Sequence, residues 1–151
     1  MRFENKSVII TGGGGKIGKA YAMGFAKEGA KVALPDIASA DHVVKAIRDM
    51  GGTAISMACD VSDEKSVKAM VDDVAKQFGS VDVLVNNVAY FMTVKKSPFW
   101  EMEVAEFDKA MAVNVRGSWL CAKAAFPYMK QQGKGKIINI SSGTALNGSA
   151  G

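Results

Sequence analysis

Residues 8–20 read VIITGGGGKIGKA: an apolar run, four consecutive glycines, then a segment with helical character. Gly13, Gly15 and Gly18 satisfy the spacing G-x-G-x-x-G, and the helix that follows carries Ile17, Tyr21, Gly24 and Phe25 on one face. Between a strand and a helix the glycines have a physical purpose. Side chains there would keep a pyrophosphate from the backbone amides at the helix start, where the helix dipole favours negative charge. A flexible glycine turn without a ligand is the alternative. Lys16 is out of place electrostatically, because a cation in the first turn opposes the dipole by about 0.3–1 kcal/mol. It either faces a phosphate or points into water.

Outward from this stretch the chain repeats one rhythm. Short β-rich runs occur at 7–11, 31–34, 54–57, 81–85 and 136–140, with helical patterns between them. The third helix is the clearest: Ser62 is placed to cap it, and Asp63 and Glu64 suit its positive start. Val67, Met70, Val71, Val74 and Phe78 then fall on one apolar stripe, and Gly79 ends the helix. Strands alternating with helices imply right-handed crossovers and a parallel sheet covered on both faces. The fold class is therefore α/β, a doubly wound, Rossmann-like sheet with five strands, forming one dinucleotide-binding domain over residues 1–151. The fifth strand, KIINI, is apolar enough to need neighbours on both edges, and no sixth strand follows it in the sequence. The expectation is a domain incomplete at its C-terminus, cut from a longer protein.

Composition narrows the function. The chain has 151 residues, 48% apolar and 23% charged, with a net charge of +4. A domain of that size buries about 68–70% of its unfolded surface. The lysines are scattered, with no basic run beyond Lys95 and Lys96, which argues against nucleic-acid binding. The N-terminal stretch MRFENKSVIITGG has no apolar segment long enough for a signal peptide or a membrane span. Cys59 and Cys121 lie in apolar contexts without CxxC spacing, which suits buried thiols in a reducing compartment, the cytoplasm.

The second strand ends KVALPDI, so Asp36 lies 18 residues after Gly18. That is close to the acidic position that bonds an adenosine ribose in dinucleotide folds. An Asp there accepts from both ribose hydroxyls and repels a 2′-phosphate, and Ile37, Ala38 and Ser39 supply no cation. NAD is expected over NADP. An Asp serving only as a turn or helix cap is the alternative.

With these pieces in view the chain resembles the N-terminal part of a short-chain dehydrogenase/reductase of the single-domain type. The matching segments are TGGGGKIG, Asp36, CDV at 59–61, NNVA at 86–89, VNVRG at 113–117 and INISS at 138–142. The resemblance implies that Gly12 and Gly18 line the pyrophosphate turn, with Gly15, Lys16 and Ile17 completing the helix start against the cofactor. It implies that Asp60 and Val61 hold the adenine ring, by side chain and backbone, and that Asn86 sits at the end of the fourth strand beside the cofactor. Val88 and Ala89 pass near its nicotinamide half. Asn114 would anchor a water that positions a catalytic lysine, and Ser142 would orient the substrate carbonyl or hydroxyl. A tyrosine with a lysine four residues later then acts as general acid/base. Three departures stand out. Lys16 replaces the family's second glycine, NNVA replaces NNAG, and no tyrosine present has a lysine four residues on, so that pair is expected beyond residue 151 and the 151-residue chain is expected to be inactive.

The residues themselves speak to two of these roles. Phe107, Met111, Asn114, Ser118 and Cys121 fall on one helical stripe, which predicts a buried Asn114 with specific partners, since an unpaired buried amide costs about 2–7 kcal/mol. Strand alternation sends Ser141 and Ser142 to opposite faces. The family pattern selects Ser142, while hydroxyls that merely cap the next turn remain the other reading. His42, the only histidine, lies in a polar helix and reads as solvated. No His, Cys or carboxylate cluster has metal-ligand spacing. Tyr90, Phe91, Met92, Phe99 and Trp100 follow the fourth strand, as an apolar pocket wall or as ordinary loop packing.

The function expected is an NAD(H)-dependent oxidoreductase that interconverts a secondary alcohol and a ketone by hydride transfer. Its partners would be a small alcohol or ketone and further copies of the chain, as a dimer or tetramer, with no nucleic acid and no membrane. The alternatives are a non-catalytic nucleotide-binding module and a truncated relative of sugar-nucleotide-modifying enzymes, the latter resting on the Gly15 spacing.

Overall fold

The computed structural model describes residues 1–91 and 97–147; Met92 and the Lys95–Lys96 pair lie outside them. Five parallel strands, β1 (Ser7–Ile10), β2 (Lys31–Asp36), β3 (Thr53–Ala58), β4 (Val83–Asn86) and β5 (Lys136–Asn139), form one sheet in the order β3-β2-β1-β4-β5. Helices α1 (Lys16–Lys27), α2 (Asp41–Asp49), α3 (Glu64–Phe78), α4 (Val104–Met111), α5 (Ser118–Gln131) and the short α6 (Thr144–Asn147) complete the described fold. The expected doubly wound α/β arrangement is what forms.

Alternation along the strands builds two cores. Val8, Ile10, Val32 and Leu34 point to one face, against Ala22 and Ala26 of α1 and Val43 and Ile47 of α2. Ile9, Ala33 and Leu84 point to the other, against Val67, Val71 and Val74 of α3 and Leu120, Cys121 and Ala125 of α5. Every residue of β1 is fully enclosed, because it has a strand on each side and a helix layer on each face. By contrast β5 lies at the sheet edge with all four residues exposed.

The apolar stripe of α3 is buried throughout, and Gly79 closes the helix in the left-handed conformation at φ 84°. Its N-cap differs from expectation. Asp63 caps α3 by accepting from Lys65 N at 2.9 Å, while the Ser62 hydroxyl donates to Asp60 Oδ1 at 2.7 Å. A carboxylate one residue closer to the helix wins the position, and the serine is drawn into the turn before it.

The most deeply buried face of α1 is Gly18, Ala22 and Ala26; of the neighbouring set, Tyr21 and Phe25 pack half-buried against the same core, while Ile17 and Gly24 are exposed. Close approach decides this: a Cβ on Gly18 would sit 2.3 Å from the Gly12 carbonyl oxygen. Only the smallest residues fit where α1 meets the sheet, so Ile17 is left 59% exposed. β2 also runs two residues further than expected, through Pro35. Its missing N–H is harmless there, since the β1–β2 ladder ends at Ile9↔Ala33 and the Pro35 carbonyl accepts from Gly12 N at 2.9 Å.

The stripe through Asn114 is not buried. Between α4 and α5 the chain winds as a π-helix over Ala112–Gly117. Each π turn holds more residues than an α turn, so spacings that predict one face under a period of 3.6 drift around the axis. Phe107 and Met111 are 53% and 42% exposed and Asn114 is exposed too, whereas Cys121 alone of the set is fully enclosed.

Candidate active site at the carboxyl edge of the sheet

The strand order reverses direction between β1 and β4, and loops leaving the carboxyl ends there frame a crevice. The glycine loop forms one wall. Gly12 takes φ +68°, which an L side chain rarely adopts, and a Cβ on Gly13 would lie 2.6 Å from Leu34 Cβ. These two glycines and Gly18 are required by the fold itself. Gly15 is different: a Cβ there would meet only the Gly12 carbonyl oxygen, at 3.4 Å, so the chain does not demand glycine at that point. What a side chain would fill is open space over the start of α1. Gly15 is also the N-cap and offers no side chain to the first amides, and the first turn has no acidic residue. Exposed Lys16 and Ile17 flank it. This cradle fits a pyrophosphate.

Asp36, half-buried at the end of β2, leans over the same loop. Its Oδ2 accepts from Gly14 N at 3.0 Å and its Oδ1 from Ala38 N at 3.1 Å. After β3, the Asp60 Oδ1 accepts from Ser62 N at 2.8 Å as well as from its hydroxyl. Val61 is buried, its Cγ2 only 2.8 Å from where a Cβ on Gly117 would be. Its side chain belongs to the core beneath α3 and α5.

The end of β4 separates two asparagines. Asn86 is 4% exposed, and its Nδ2 donates to Asn139 Oδ1 at 2.8 Å and to the Ser118 carbonyl at 3.2 Å. Its own Oδ1 is buried without a hydrogen bond among the described residues. Asn86 therefore braces β5 and α5, and the residue that faces the glycine loop is Asn87. The Asn87 Nδ2 donates to the Thr11 carbonyl at 2.9 Å, and the Thr11 hydroxyl oxygen accepts from Asn87 N at 3.0 Å and Val88 N at 3.2 Å. The Val88 side chain lies over Gly12, its Cγ2 3.1 Å from the position of a Cβ there, and Ala89 is exposed beyond it. Neither Thr11 nor Asn87 stands out in the sequence taken alone. A hydroxyl ending one apolar strand and a second amide ending its neighbour were the available signal.

Asn114 has the specific partners expected of it, though it is exposed. Its Oδ1 accepts from Tyr90 N at 2.7 Å and its Nδ2 donates to the Tyr90 carbonyl at 3.1 Å, so the loop after β4 is strapped to the π-helix. Tyr90 is fixed further by its hydroxyl, which donates to Glu106 Oε1 at 3.0 Å, and by Lys109 Nζ at 4.5 Å from its ring centre. Both side-chain atoms of Asn114 are thus engaged, and its carbonyl accepts from the Ser118 hydroxyl at 3.2 Å. The aromatic set is spread out: Phe91, Phe99 and Trp100 are exposed, and the last two stack edge to face at 5.2 Å.

Ser142 follows β5 at the same edge. Its hydroxyl donates to Thr144 Oγ1 at 3.2 Å and accepts from Thr144 N at 3.3 Å, capping the turn into α6. A substrate carbonyl would have to take that proton from Thr144. Other ionisable groups stand apart. Burial pushes the Cys121 thiol up to about 12 and raises that of Cys59, so neither supplies a thiolate. Tyr128 donates to Asp72 at 2.8 Å, and that bond raises its pKa, making it a poorer proton donor. His42 is exposed. Among the described residues there is no group of three or more His, Cys, Asp or Glu that could hold a metal ion, and no helix long and apolar enough to cross a membrane.

A family model described as short chain dehydrogenase matches residues 6–151. The chain belongs to that family. An uncharacterized oxidoreductase of Thermotoga maritima is 42% identical over 150 residues, covering 98% of this chain and 58% of the relative. The cis-4-hydroxycyclohexanecarboxylate dehydrogenase of Sinomonas cyclohexanicum is 39% identical over 141 residues, covering 93% and 56%. The crystal structure of an NAD+-bound xylitol dehydrogenase superposes with a TM-score of 0.89 at 32% identity, covering 99% of this chain and 57% of that one. This short-chain dehydrogenase chain thus spans somewhat more than half the length of those relatives, and its relatives are oxidoreductases of an NAD(P)-dependent family.

Proposed function

We propose that the chain forms the cofactor-binding part of an NAD(H)-dependent oxidoreductase that interconverts a secondary alcohol and a ketone. The bound dinucleotide would accept or deliver the hydride. The observation that carries the cofactor choice is Asp36: its carboxylate stands at the end of β2 over the glycine loop, and the following Ile37, Ala38 and Ser39 offer a 2′-phosphate no cation. The names of the xylitol and cis-4-hydroxycyclohexanecarboxylate dehydrogenases support an alcohol as one side of the reaction.

In this reading Gly12, Gly15, Lys16, Ile17 and Gly18 hold the pyrophosphate at the start of α1, and Asp60 and Val61 border the adenine. Val88 and Ala89 border the nicotinamide half. Ser142 gives its hydroxyl proton to the substrate oxygen as a hydrogen bond, and Asn114 holds the loop after β4 in place. The proton itself is exchanged with a Tyr-x-x-x-Lys pair outside these 151 residues. The assembly is a homodimer or homotetramer and the compartment the cytoplasm, in keeping with the buried thiols of Cys59 and Cys121.

Fluorescence titration with NADH and NADPH tests the reading. NADH is expected to bind more tightly, and Asp36→Ala to narrow the gap. Tighter NADPH binding by the unmodified protein would overturn the cofactor assignment and direct attention to Lys16.

A further inference from the structure

The Asp36 carboxylate has two separate attachments within the chain itself. Oδ2 accepts from the amide of Gly14, in the middle of the glycine loop, and Oδ1 from that of Ala38, in the loop leading to α2. The main-chain carbonyl of Asp36 accepts in turn from Cys59 N at 2.9 Å, and that of Pro35 from Gly12 N at 2.9 Å. Gly14 is closely surrounded at this point, for a Cβ there would lie 3.2 Å from Asp36 Oδ2 and 3.4 Å from the Ser39 carbonyl oxygen. One residue thus touches the loops leaving β1, β2 and β3. Each carboxylate oxygen has two acceptor sites, and each uses one. The free sites can take ribose hydroxyls while both internal bonds persist.

We propose that Asp36 is a positioning residue for the glycine loop, so that cofactor choice and the shape of the pyrophosphate cradle are set by the same carboxylate. The proposal rests on the dinucleotide reading given above for its functional meaning, but the tether is a property of the chain alone. Its consequence is specific. Removing the charge at residue 36 relieves repulsion of a 2′-phosphate and at the same moment releases Gly14. A variant altered only at this position therefore loses NADH without gaining NADPH.

Two measurements on the intact protein decide it. In the cofactor-free protein, amide hydrogen exchange at Gly14 should rise about ten-fold or more in Asp36→Ala, from the loss of a bond to a charged acceptor. Asp36→Asn keeps the size of the side chain but sets an NH2 group against one of the two amides, so Gly14 or Ala38 should lose protection. The second probe is 2′,3′-dideoxyadenosine diphosphate, which has no ribose hydroxyls for Asp36 to bond. Its affinity should fall about five-fold or more in Asp36→Ala, because the cradle is no longer held in shape. Unchanged exchange at both Gly14 and Ala38, or unchanged or tighter binding of the dideoxy nucleotide, overturns the proposal. Failure of the unmodified protein to bind any adenine nucleotide would defeat the dinucleotide reading instead, and the exchange result would still decide the tether.

Discussion

Two glycines six residues apart on α1 should respond to the same substitution with opposite sign. Replacing a helical glycine by alanine gains about 0.5–1 kcal/mol, because the chain loses less backbone entropy on folding. At Gly24 nothing lies within 4 Å of the added Cβ, so Gly24→Ala should realise that gain. At Gly18 the same atom would lie 2.3 Å from the Gly12 carbonyl oxygen and 2.9 Å from Gly13 Cα. These are backbone atoms of a loop already held by Thr11, Asn87 and Asp36, so the helix must move away as a body. Overpacking of this kind costs about 1–3 kcal/mol, occasionally more. Set against the propensity gain, Gly18→Ala should come out near neutral to about 2.5 kcal/mol less stable. The two variants should then differ by about 1–3 kcal/mol in urea unfolding, a separation of several degrees in Tm for a domain of this size. Nucleotide affinity should fall in Gly18→Ala and hold in Gly24→Ala. A Gly18→Ala protein as stable as Gly24→Ala, with affinity intact, would show that α1 does not meet the glycine loop as described.

Two further outcomes concern the opposite edge of the sheet and the end of β5. Burial favours the protonated form of Asp82, but hydrogen bonds from Ser80 Oγ, Ser7 N and Lys6 Nζ outweigh it and lower its pKa. Its stabilisation is therefore present above the ordinary carboxyl pKa and is lost as pH falls through the depressed folded value; Asp82→Asn should cost about 1.5–3 kcal/mol at neutral pH and progressively less in acid, followed by urea unfolding across pH. In the active enzyme Ser142→Ala should lower kcat by two to three orders of magnitude, about 2.7–4 kcal/mol in the barrier, with NADH affinity nearly unchanged. An equal loss of activity from Ser141→Ala would reverse the choice between the two serines.

The arrangement of strands and helices was readable because each carried its own local signal. The α3 stripe, its closing Gly79 and the enclosed run of β1 need no distant partner to be recognised. What escaped depends on distance across the fold. Ser62 and Asp63 are equal as caps until the turn at Asp60 claims the serine. The inward face of α1 follows from how closely helix and loop approach, which hydrophobicity along the chain does not report. The π-helix around Asn114 defeats any fixed period. Within the site, Asp36 was found from its distance to the glycines, but its bond to Gly14 joins two loops 22 residues apart. Asn86 and Asn87 were indistinguishable as a doublet, and only strand alternation within the sheet gives one to the core and the other to the loop.

β1 has a strand on each side and a helix layer on each face, and the glycine loop grows from its end. Backbone hydrogen bonds in such a position belong to the most protected part of a fold. The cradle is thus stiff before anything binds, and a nucleotide entering it loses little affinity to the ordering of the chain.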